Sequence, residues 1–172
     1  METVYELESF KVRLGVHEPP GQKVSCAETA AAILRPIYAD LDADQEHFTV
    51  LFLNNKNMIR GYKVLFTGGQ TTSAVSPAIV FRAAILMGAC AIVLAHNHPS
   101  GDTAPSPEDL ELTRRLAQCG ELFGIRALDH IILGANQYFS FADRGMMDDG
   151  GIATETARRK AKNPRRKRAS HL

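Results

Sequence analysis

The chain has 172 residues, 45% of them hydrophobic and 23% charged, which suits one soluble globular domain able to bury a core without disulfides. Its three cysteines, Cys26, Cys90 and Cys119, are odd in number and form no C-x-x-C pair. They argue against a disulfide framework or a thiolate zinc knuckle, fit a reducing cytoplasm, and read as small buried apolar side chains.

The amino-terminal METVYELESFKVRLG lacks a basic stretch followed by an apolar one, so no signal peptide is expected. The first plausible strand is Phe10–Leu14, closed by Pro19-Pro20-Gly21. Ser25 can cap a helix from Cys26 to about Asp40, with Glu28 as its capping partner, and Pro36 predicts a kink or an early end. EHFTVLFL, residues 46–53, reads as a strand; Asn54-Asn55-Lys56-Asn57 is a turn, and Met58–Phe66 returns as the second strand of a hairpin. Gly68-Gly69 breaks the chain. Pro77 opens a helix through Met87, with Ile79, Val80, Ala83, Ala84 and Met87 at helical spacing.

Ala91–Ala95 is a short, wholly apolar strand suited to the centre of a sheet. The stretch AAILMGACAIVLA that contains it is too short and interrupted for a membrane span. A third helix runs from Pro107 to about Leu122, ended by Gly124, and Ile125–Leu133 and Tyr138–Phe141 supply two last strands. The order βαββαβαββ predicts an α/β fold: a three-layer mixed sheet with helices on both faces. Residues 1–24 form an extension with a short strand, 25–147 the domain, and 148–172 a tail without apolar periodicity, expected to be disordered. That tail explains a charge asymmetry. Residues 157–172 carry eight Lys or Arg and no acid, so the overall +1 leaves 12 basic and 19 acidic residues, a net of −7, elsewhere.

The most informative segment is His96-Asn97-His98-Pro99-Ser100-Gly101. Histidines at i and i+2 leaving a strand face one side while the backbone stays extended, and Pro99 pushes His98 toward that conformation. Ser100-Gly101-Asp102 turns the chain back, and the next helix opens at Ser106-Pro107-Glu108-Asp109, whose first turn can face the same point. Two imidazoles and a carboxylate are a normal catalytic zinc set with a fourth position left for water, whose pKa falls to about 7 on the metal. Zinc also suits imidazole ligands at a site without redox chemistry. Each residue has a plainer reading. A histidine after a strand is usually a loop residue. Ser106 as N-cap, Pro107 at the first helical position and Asp109 closing a capping box make a sound helix start. Spacing alone leaves both readings of Asp109 open.

His96-x-His98, then seven residues, Ser106, two residues and Asp109 match the JAMM motif position for position. The fuller HNHPSGDTAPSPEDLELT, followed by LDHIIL at 128–133, resembles the RadC branch of the JAMM (MPN-type) metalloprotease family, and the likeness runs from Ser25 to Phe141. The resemblance implies an MPN, cytidine-deaminase-like architecture and a cytoplasmic, zinc-dependent hydrolase of a peptide or isopeptide bond. It implies that His96, His98 and Asp109 bind Zn2+, that Glu46 is the general base toward zinc-activated water, and that Ser106 helps hold the oxyanion. Locally, Glu46 is only a charged residue starting a strand. Two features depart from the pattern: Pro77 is followed by Ala78-Ile79 where RadC-like chains carry a basic-acidic pair, and the 172 residues leave no room for the branch's N-terminal helix-hairpin-helix-like domain. Asp129-His130 reads as a hydrogen-bonded core pair, with orientation of a ligand as the alternative.

Two other functions compete. A zinc nucleobase deaminase would need H-x-E and P-C-x-x-C, and neither occurs. A RadC-type accessory protein of DNA repair or recombination would bind nucleic acid through Arg158, Arg159, Lys160, Lys162, Arg165, Arg166, Lys167 and Arg168, without sequence preference because no aromatic residues are interleaved. The intact motif argues against an inert scaffold.

Overall fold

The computed structural model describes residues 21–68 and 75–147. The strand expected at Phe10–Leu14 and the basic tail lie outside the described residues. Eight elements follow in the expected order: α1 (Ala27–Ala39), β1 (His47–Leu53), β2 (Ile59–Thr67), α2 (Pro77–Leu86), β3 (Ala91–Asn97), α3 (Pro107–Phe123), β4 (Arg126–Leu133) and β5 (Tyr138–Ser140).

The first helix begins differently from expectation. Cys26, not Ser25, is the N-cap, and Thr29, not Glu28, supplies the side-chain partner. Thr29 Oγ1 accepts from the backbone N–H groups of Ser25 and Cys26 at 3.0 and 3.1 Å. A short β-branched hydroxyl one turn into the helix reaches the N-cap donor and the donor before it at once. Pro36 does not stop α1, which continues three residues beyond it to Ala39. In the β1–β2 turn, Asn54 Oδ1 accepts from the N–H groups of Lys56 and Met58, and Asn57 takes a φ of 57°, a region asparagine tolerates better than most residues.

The sheet has the order β2-β1-β3-β4-β5, mixed, with β3 at its centre. Only β3 and β4 are parallel, joined through α3 as a βαβ unit. All seven residues of β1 are buried because both faces of the sheet are covered. Phe48, Val50 and Phe52 of β1 join Ile92 and Leu94 of β3 under α2 and α3. Leu51, Leu53, Ala91, Val93 and Ala95 pack on the opposite face against Ala30, Ala31 and Leu34 of α1. The three layers are therefore those the element order predicts. The cysteines are unbonded and half-buried rather than fully buried. Among the described residues no helix is long and apolar enough to cross a membrane.

One boundary matters for chemistry. The central strand extends two residues past the expected Ala95, to Asn97. His96 thus belongs to the sheet, paired with Phe48 of β1 and Ile132 of β4, on the face turned to α3. It lies at the carboxyl end of a parallel strand, where open α/β sheets place their ligand crevices.

Candidate metal centre

His96 is in extended backbone, so His98 falls on the same side two residues later. The turn that follows holds it there. Gly101 N–H donates to the His98 carbonyl at 2.9 Å, with Gly101 in the left-handed region at φ 76°. His98 Nδ1 lies 2.7 Å from the Asp102 carbonyl oxygen. A carbonyl only accepts, so His98 Nδ1 carries a proton, and in the neutral ring Nε2 keeps the lone pair. Gly134, in the β4–β5 turn, backs this loop so closely that a Cβ there would come within 2.9 Å of the Gly101 carbonyl oxygen.

The start of α3 brings the carboxylate. Ser106 is the N-cap; its hydroxyl accepts from Asp109 N–H at 3.1 Å, while Asp109 Oδ2 accepts from Ser106 N–H at 2.8 Å and from its hydroxyl at 2.7 Å. The capping box is real, and it uses one carboxylate oxygen. The other oxygen, Oδ1, is buried and has no hydrogen-bond partner; it lies 3.2 Å from His96 Nε2 without the alignment of a hydrogen bond. A buried carboxylate oxygen left unpaired is costly unless a cation fills the gap.

His96 Nε2 and His98 Nε2 are 3.0 Å apart, and one ligand atom from each of His96, His98 and Asp109 falls within 4.8 Å of the others. With both Nε2 nitrogens deprotonated, three lone-pair-bearing atoms converge, which fits a divalent ion of the kind bound by imidazole and carboxylate. His96 is fully buried, Asp109 nearly so, and the His98 side chain, 19% exposed, gives the site its solvent-facing side. Burial pushes the Asp109 carboxyl up, but the neighbouring His96 and His98 imidazoles outweigh it and hold it well below the usual range. His98 is raised, chiefly by its contact with Asp109.

Glu46 sits immediately before β1, half-buried. Burial raises its carboxyl, while the fields of His96 and His98 pull it down and that of Asp109 pushes it up again. It stands two residues before Phe48, which pairs with His96 across β1 and β3. Its backbone is fixed by Asn97, which accepts from His47 N–H with Oδ1 at 2.8 Å and donates to the Gln45 carbonyl with Nδ2 at 2.9 Å. The hydroxyl of Tyr38 anchors the same end of the sheet between the carbonyls of His47 and Ala95, at 3.0 and 2.9 Å.

Asp129 and His130 separate, because successive strand residues point to opposite faces. Asp129 is structural, as read from sequence. Its Oδ1 accepts from the N–H groups of His130 and Ala142 and its Oδ2 from the Ser140 hydroxyl, closing the turn after β5. His130, by contrast, has Nε2 2.8 Å from His96 Nδ1 and Nδ1 2.6 Å from Thr113 Oγ1. Nothing local in the sequence marks Thr113 or Asn97 for these contacts. Thr113 lies one helical turn after Asp109, a spacing that places the two on one face.

Residues 24–146 match the family model described as a RadC-like JAB domain. Among curated proteins, the UPF0758 protein of Staphylococcus haemolyticus is 49% identical over 62% of this chain and 47% of its own length. That of Listeria monocytogenes serotype 4b is 48% identical over 71% of this chain and 54% of its own, and that of Bacillus mycoides 48% identical over 59% and 45%. The chain belongs to the RadC-like JAB-domain family, and it spans about half the length of these relatives.

Proposed function

We propose that the chain is a zinc-dependent hydrolase of peptide or isopeptide bonds, with His96, His98 and Asp109 as metal ligands. The observation that carries this reading is the buried Asp109 Oδ1, without a hydrogen-bond partner and 3.2 Å from His96 Nε2, while His98 Nε2 lies 3.4 Å from Oδ2 of the same carboxylate. A zinc ion held there supplies Lewis-acid chemistry and makes hydroxide accessible near neutral pH. Glu46 takes a proton from the attacking water and delivers it to the leaving amine; its burial supports this, since a raised carboxyl is a better base at neutral pH. Ser106 swings its hydroxyl from Asp109 Oδ2 toward the developing oxyanion, while Ser106 N–H keeps the helix capped.

The test is cleavage of a diverse library of linear and lysine-branched peptides by the zinc-loaded full chain, read by mass spectrometry. Cleavage is expected with the unmodified chain and not with Glu46→Gln, which keeps its metal but cannot accept a proton. Equal cleavage by both would assign the base elsewhere, and no cleavage by either would oppose the hydrolase reading.

A second reading, an accessory nucleic-acid-binding role, is favoured by one observation: the eight Lys and Arg of residues 157–172 beside a body of net charge −7. The two readings use different parts of the chain and do not exclude each other.

A further inference from the structure

We infer that Thr113 and His130 form a relay that fixes which nitrogen of His96 carries its proton, and so presents His96 Nε2 as a ligand; this rests on the metal-binding reading above. Thr113 Oγ1 lies 2.6 Å from the Asp109 backbone carbonyl, which can only accept, so the single hydroxyl proton is used there. The same oxygen lies 2.6 Å from His130 Nδ1 and must accept in that second bond. His130 Nδ1 therefore bears a proton.

His130 is fully buried, stacked on Phe141 at 5.0 Å and edge-on to Phe48 at 5.7 Å. Its two nitrogens face Thr113 and His96, not a carboxylate. A cationic ring there would lose its hydration with no anion in contact to replace it. The ring is neutral, its proton sits on Nδ1, and Nε2 accepts. The group opposite, 2.8 Å away, is His96 Nδ1, which must donate. The proton on Nδ1 leaves His96 Nε2 as the coordinating atom, pointing at His98 Nε2 and Asp109 Oδ1.

The relay begins and ends on the site. Asp109 supplies a carboxylate oxygen from its side chain and, through its own backbone carbonyl, sets the tautomer of the histidine that faces that oxygen. His98 reaches the same state from the Asp102 carbonyl alone. On buried His96 the partner of Nδ1 is the His130 side chain, itself held by Thr113, so two side chains do the task. Thr113 and His130 are positioning residues that act through His96.

The experiment uses the full chain, labelled with nitrogen-15 and stripped of metal by chelation, with imidazole nitrogens read by long-range proton–nitrogen correlation. The unmodified chain is expected to show protonated Nδ1 on both His96 and His130. Thr113→Val removes the acceptor, so His130 should move its proton to Nε2 and His96 should become the acceptor at Nδ1. Thr113→Ser should restore the original pattern. In cobalt(II) titrations followed by visible absorption, Thr113→Val should weaken binding by about 10- to 100-fold, as loss of such outer partners does at other metal sites, and Thr113→Ser should recover it. His130→Phe, which keeps a ring between Phe48 and Phe141, should lose cobalt affinity likewise. A His96 protonated on Nε2 alone in the unmodified chain, or a Thr113→Val variant with unchanged His96 tautomer and unchanged cobalt affinity, overturns the relay. An unmodified chain that shows His96 Nδ1–H yet binds no cobalt would support the relay and overturn the metal reading.

Discussion

Asn97 grips the backbone on both sides of Glu46, accepting from the residue after it and donating to the residue before it. The side chain lying between the two candidate ligand histidines thereby ties the candidate base to the strand that carries His96. If Glu46 is the base, its distance from the metal is set by this clamp. Asn97→Ala should cost about 1 kcal/mol, the net worth of partly exposed hydrogen bonds. It should keep the metal and reduce any cleavage much more than stability. Urea unfolding and the peptide assay, run side by side, check this; unchanged cleavage would show that Glu46 is held by other contacts.

Ser106 separates capping from ligation. Ser106→Ala removes the acceptor for Asp109 N–H and should destabilise the chain by about 1 kcal/mol, within the usual range for a lost N-cap. Asp109 Oδ1 is untouched by that change, so metal stoichiometry should persist. Loss of metal equal to that of Asp109→Ala would mean that the box, not the carboxylate, makes the site.

Asp129 predicts a pH dependence of stability. Burial, opposed by its bonds from Ala142, Ser140 and His130, lifts its carboxyl from 3.8 to about 6. Between about pH 4 and 6 the folded chain holds a proton that the unfolded chain has released, so the stabilising contribution is full below that window. It is lost as pH rises through it, by up to about 3 kcal/mol. Asp129→Asn keeps an acceptor for both N–H groups and cannot ionise. Its unfolding free energy, measured without metal, should lack that part of the decline; an identical slope in both proteins would contradict the assignment.

Much of this was legible in the sequence because the informative signals are local. The Ser106 and Asp109 box, the Gly124 helix end and the run from Ala91 each declare themselves within a few residues. The central strand was cut short at Ala95 because His96 and Asn97 are polar, and apolar patterning cannot show that a histidine is buried against a helix still to come. Thr113 has no local signal, and the choice between the two readings of His130 depends on the β3–β4 register, which sets Leu94 opposite His130 and His96 opposite Ile132. The α1 cap was missed because Ser25 and Glu28 satisfy the usual rule, while Thr29 reaches both donors from closer. For Glu46 no local signal exists; its place beside the histidines depends on β1 pairing with β3.

The basic residues of 157–172 predict salt-sensitive binding to nucleic acid. For about six phosphate contacts on duplex DNA, log affinity should fall with log salt at a slope of roughly −5. A chain truncated after Gly151 should lose that affinity across all sequences, since the 12 basic and 18 acidic residues that remain, a net of −6, repel phosphate. A binding titration at two salt concentrations checks this; equal affinity of both chains would move binding onto the folded domain.

The central claim is that His96, His98 and Asp109 hold one metal ion. Elemental analysis of the purified full chain, beside His98→Ala and Asp109→Ala, tests it most directly. About one zinc per chain is expected in the unmodified protein, as for a single three-ligand site, with a strong loss in both variants once thermal unfolding has shown that each folds. Full zinc retention in both variants would contradict it.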